Sequence, residues 1–97
     1  MSDNQNVVME DYFKSVQSRL FQFLSNSRGP VTSRQLRVTV NNNYKELDED
    51  ERLHMFNMAL MQLNDKSYIK TMGRGTDRHF LKGEFFQEWS ITQNNNN

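Results

Sequence analysis

The 97-residue chain carries twelve basic and twelve acidic side chains, no cysteine, and only 35% hydrophobic residues. Disulfides and thiolate metal sites are thereby excluded. No apolar run approaches the ~20 residues that span a bilayer, no signal-peptide pattern opens the chain, and the expected setting is a reducing cytoplasm or nucleus. The length fits one domain. Seven Phe, three Tyr, one Trp and six Met compensate for the low apolar content, since an aromatic side chain buries about 150–250 Å².

The polar start, residues 1–7, is expected to be disordered, with the folded domain over 8–90 and a disordered Asn-rich tail over 91–97. A first helix is expected from Met9 to Ser25. Met9, Phe13, Val16, Leu20, Phe23 and Leu24 recur at three- and four-residue spacing and form one stripe. Glu10 and Asp11 suit its positive end, and Arg28, Gly29 and Pro30 stop it. Tyr12 and Phe21 lie off this stripe, as extra core cover or as contacts to a partner or a second copy.

Thr32-Ser33-Arg34-Gln35 reads as a capping box for a short second helix from Ser33 to about Val40, with Leu36 and Val40 inward. Asn41, Asn42 and Asn43 end it, and the connection that follows is expected to turn on Tyr44 and Leu47. Asp48 caps a third helix with Glu51 at the box position, and Leu53, Phe56, Ala59, Leu60 and Leu63 form its buried face. Arg52, Met55, Asn57, Met58, Met61 and Gln62 are expected on its exposed side. Asn64-Asp65-Lys66-Ser67 breaks it. Tyr68–Met72 and His79–Lys82 alternate like strands around a Gly73–Arg78 turn. A short C-terminal helix can place Phe85, Phe86 and Trp89 on one surface, folded back on the first helix or, with Tyr12 or Phe21, joining two copies.

The zero net charge is unevenly spread. Residues 28–45 hold four basic side chains and no acidic one, residues 46–65 hold six acidic ones against Arg52, and residues 66–82 hold five basic ones against Asp77. A neutral total can therefore hide a basic face. Nothing indicates an enzyme. The two histidines, His54 and His79, have no ligand partner at metal spacing, and Gly73-Arg74-Gly75 joins strand to strand rather than strand to helix, so it is no phosphate loop. No cofactor and no small-molecule substrate are expected.

From Val16 to Lys82 the chain resembles the winged helix-turn-helix superfamily. The resemblance rests on Phe56–Leu63 followed by Ser67-Tyr68-Ile69, and on the Pro30-Val31-Thr32-Ser33 opening of the second helix. It implies an α+β class, a three-helix winged-helix domain with a C-terminal β-hairpin wing. Asn57 falls where the Z-nucleic-acid-binding subgroup has a contact Asn, but Met61 stands at its Tyr position and the wing lacks its Pro-Pro-x-Trp. The winged-helix subunits of RNA polymerase III and their initiation-factor relatives have similar helix spacing.

Such domains present the third helix to the major groove and the wing to neighbouring backbone or minor groove. The resemblance thus implies a non-catalytic binder of double-stranded DNA, a transcriptional regulator. Phosphate contacts would come from Arg34, Arg37, Lys70, Arg74 and Arg78, and adenine edges would be read by Asn57 and Gln62. The carboxylates of Asp48-Glu49-Asp50-Glu51 and the soft stripe of Met55, Met58 and Met61 favour the alternative, a protein-interaction winged helix in a larger assembly. A homodimer through Tyr12, Phe21, Phe85, Phe86 and Trp89 fits either role.

Overall fold

The computed structural model describes residues 2–27 and 29–95. Helix α1 spans Ser2–Asn26, starting well before Met9. Pro30 lacks an N–H and disfavours helix in the residue before it, which accounts for the stop; Arg28 lies outside the described residues. The buried stripe is Tyr12, Val16, Leu20 and Leu24, a strict four-residue spacing on one helix face. Met9, Phe13 and Phe23 flank it half-buried, so Tyr12 belongs to the core and the expected stripe was rotated.

A two-residue strand, β1 (Val31–Thr32), precedes α2 (Ser33–Asn41). Thr32 ends the strand and caps the helix, its hydroxyl accepting the Gln35 N–H at 3.1 Å. The connection to the next helix turns on Tyr44 and Leu47 as expected. The Leu47 N–H donates to the Tyr44 carbonyl at 3.3 Å, Leu47 is buried, and the Tyr44 ring meets Tyr12 edge-on at 5.3 Å.

Helix α3 spans Glu49–Asp65. Its capping box is complete: Asp48 Oδ1 accepts the Glu51 N–H at 2.8 Å, and Glu51 Oε1 accepts the Asp48 N–H at 3.1 Å. Phe56, Ala59, Leu60 and Leu63 are buried, whereas Leu53 is 40% exposed, lying before the turn at which α3 meets the core. The helix ends in a Schellman motif, Tyr68 N–H to Leu63 carbonyl and Ser67 N–H to Asn64 carbonyl, with Ser67 left-handed at φ 59°.

Strands β2 (Ile69–Met72) and β3 (His79–Lys82) flank a single 3₁₀ turn at Gly75–Asp77. β3 sits in the middle of the sheet, pairing antiparallel with both neighbours and bringing Phe80 opposite Val31 and Thr71. Gly73 turns the chain at φ +82°, where a Cβ would also stand 2.7 Å from the Asp77 carbonyl oxygen. Helix α4 (Phe86–Asn95) folds back on the domain. Trp89 stacks on Tyr68 at 5.7 Å and meets Phe21 edge-on at 4.9 Å, while Phe21 stacks on Phe86 at 5.5 Å.

Among the described residues the chain is a small compact α+β domain of four helices and a three-stranded antiparallel sheet. Residues 2–7 lie in α1 and residues 91–95 in α4; Met1, Asn96 and Asn97 lie outside the described residues. Among the described residues no helix is long and apolar enough to cross a membrane.

Candidate nucleic-acid interface

The β1–β3 pairing sets the hairpin beside the start of α2. The Ser33 N–H donates to the Arg78 carbonyl at 2.8 Å, and Ser33 is itself buried. Between α2, α3 and the hairpin this leaves an open groove of about 680 Å³, lined by Ser33, Arg37, Leu53, Asn57, Leu60, Met61, Asn64, Thr71, Gly75 and Arg78. Two of the expected phosphate ligands and one expected base reader therefore line one groove, and no lining residue is a carboxylate. A second depression adjoins it, lined by Ser33, Arg34, Arg37, Val38, Asn41 and Asn42, again without a carboxylate. Arg37 stands between the two.

The arginines are held rather than free. The Arg37 guanidinium lies 5.9 Å from the centre of the Phe56 ring, a cation–π distance. Arg78 is half-buried, and its Nη2 donates to Asn57 Oδ1 at 3.0 Å. Its Nε is buried and finds no acceptor among the described residues. Burial, and then the positive charge of Arg37, hold the Arg78 pKa below its ordinary value; the guanidinium stays charged at neutral pH regardless. Two guanidinium groups thus face one groove with unused donors, an arrangement that an oxyanion relieves.

The other expected ligands are dispersed. Arg34 is exposed in the second depression, and Arg74 is exposed at the hairpin tip next to the groove-lining Gly75. Lys70 is not brought to the groove. It sits on the outer face of β2, beside Lys82 and Glu84. Gln62 is also turned away, its Oε1 accepting from Gln17 Nε2 of α1 at 2.8 Å.

Of the residues expected at a partner or dimer surface, Tyr12, Phe86 and Trp89 are buried by this chain's own side chains. Phe21 and Met55 are half-buried against the core. Met58, Met61 and Phe85 are 44%, 61% and 44% exposed. Arg52, expected on the exposed side of α3, is instead half-buried, and its Nη1 donates to the Tyr44 and Leu47 carbonyls. It fastens the α2–α3 connection.

Sequence reasoning missed Leu53, Asn64 and Thr71 as groove walls, and missed the Arg78–Asn57 pair. Those two are 21 residues apart, beyond any local spacing rule. Half of the acidic cluster is structural, since Asp48 and Glu51 form the capping box. His54 is exposed and His79 half-buried; among the described residues no group of three His, Cys, Asp or Glu side chains can hold a metal ion. No known family model, curated protein or solved structure matches this chain.

Proposed function

We propose that this chain is a winged-helix domain that binds duplex DNA, with Arg37 and Arg78 on the phosphodiester backbone and α3 turned to the bases. The observation that carries this reading is the carboxylate-free groove between α3 and the hairpin, with both arginines on its wall. Three helices followed by a hairpin is the winged-helix order, and β3 at the centre of the sheet fixes the hairpin beside α2. In B-DNA one backbone separates the major groove from the adjacent minor groove. With α3 in the ~12 Å major groove and the hairpin tip at the minor groove, that backbone runs between them, past Arg37 and Arg78. Arg34 and Arg74 extend the positive path at its exposed ends.

A second reading has its own observation. Leu53, Met58 and Met61 are 40%, 44% and 61% exposed on α3, an apolar strip that suits a protein partner.

The test is an anisotropy titration of random-sequence duplex DNA at ~50 mM salt, where phosphate contacts dominate affinity. Arg37→Ala is expected to weaken binding several-fold more than Lys70→Ala, which removes an equal charge away from the groove. Equal losses for the two variants, or no binding by the wild type, would overturn the reading.

A further inference from the structure

Asp50, Leu53, Asn57, Met61 and Asn64 follow one another at three- and four-residue spacing, so they share one face of α3. The last four line the groove, and Asp50 prolongs the same face into the acidic start of the helix. Asp50 is exposed and forms no ion pair among the described residues. The groove arginines have no carboxylate partner there either: Arg37 lies over the Phe56 ring, and Arg78 donates to Asn57. Both therefore stand at the level of Phe56 and Asn57, two turns or about 10 Å along α3 from Asp50. Leu53, 40% exposed, lies between. One face thus carries an acidic end, a bare apolar side chain and a basic region, and it is complementary to itself when turned end to end.

We infer that a second copy of this chain docks on the groove, its α3 antiparallel to the first, each Asp50 meeting Arg37 and Arg78 of the other copy. With the two-fold axis beside Leu53 and His54, Asp50 of each copy comes level with Asn57 of the other, and the two Leu53 side chains face each other. Such a contact is isologous and closes at a dimer, so every charged contact is made twice. A carboxylate can accept from a guanidinium through both oxygens, which suits donors that Arg37 and Arg78 leave unused. These are the donors given above to the phosphodiester backbone. The second copy and duplex DNA therefore exclude one another, and the dimer is a DNA-free form with its groove closed. That exclusion rests on the duplex-binding reading, whereas the dimer itself does not.

The test is sedimentation equilibrium without DNA at ~50 mM and at about 1 M salt, where the screening length falls to about 3 Å. The wild type is expected to approach a dimer at low salt and a monomer at high salt. Asp50→Lys is expected to weaken the dimer by more than about tenfold. Asp65→Lys, the same charge change at the far end of α3, leaves it intact. Arg37→Glu is expected to be monomeric alone, and an equimolar mixture with Asp50→Lys is expected to dimerise again, because each chain supplies the charge the other lacks. Should Arg37→Glu fail to fold by circular dichroism, the contrast between Asp50→Lys and Asp65→Lys decides. A monomer throughout, a dimer indifferent to Asp50→Lys, or folded variants that stay monomeric when mixed would each overturn the inference. Added duplex is expected to dissociate the wild-type dimer, and a dimer that binds duplex intact would overturn docking in the groove. Failure of the monomeric protein to bind duplex would overturn the DNA-binding reading alone and leave the dimer standing.

Discussion

The Tyr12 hydroxyl donates to Asn41 Oδ1 at 2.7 Å from a side chain that is 1% exposed. Burial pushes its pKa up to about 12, against the opposing pull of Arg37 and Arg52. The folded state therefore holds this proton more tightly than the unfolded chain does. The associated stability is complete below the unfolded pKa of about 10 and is lost as pH rises through about 12, some 2–3 kcal/mol in all. Urea denaturation of the wild type and Tyr12→Phe is expected to show the variant about 1 kcal/mol weaker at pH 7 and the gap closing or reversing above pH 10. A constant gap across that range would contradict the assignment. At this scale the sequence was only partly legible. Ten apolar side chains crowd α1, so more than one stripe satisfies a three- or four-residue spacing, and the face meeting α3 is chosen by packing. Arg52 misleads for a related reason. A charged residue on a helix reads as exposed until the two carbonyls it serves, from Tyr44 and Leu47, have been folded against it.

Elements closed by local chemistry were the most legible. Both helix caps involve partners three residues apart, and the hairpin follows its glycines. Strand β1 was not legible, because two residues show no periodicity and their partners, Phe80 and His79, lie far along the chain. α4 was foreseen as a helix, but whether its aromatics cover this chain or another is a matter of tertiary packing. The stacking of Trp89 on Tyr68 and against Phe21 favours this chain. Trp89→Ala is accordingly expected to destabilise the domain by about 3–5 kcal/mol in urea denaturation, the usual loss for a buried large aromatic, without changing its sedimentation at temperatures where it stays folded. A loss below about 1 kcal/mol together with dissociation of a dimer would place Trp89 at an interface instead.

For the whole molecule, function depends on convergence rather than composition. Equal numbers of acidic and basic side chains conceal a groove whose charged lining is basic alone. The segregation of charge along the chain hinted at this face, yet linear order placed Lys70 with Arg78 and kept Arg37 apart from both. β1–β3 pairing reverses that grouping: it draws Arg78 to the start of α2 and leaves Lys70 on the outside of the sheet. The acidic turn of α3 counts against DNA binding as a run of four carboxylates, and the helix cap accounts for the presence of two of them. A phosphate backbone is expected to occupy this groove, and the salt dependence of duplex binding measures its contacts. Each phosphate neutralised contributes about 0.9 to the slope of log affinity against log salt. The double variant Arg37→Ala/Arg78→Ala is therefore expected to bind random duplex DNA more weakly, with a slope shallower by about 1.8. An unchanged slope, or a wild type that fails to bind at ~50 mM salt, would show that no phosphate backbone lies against Arg37 and Arg78.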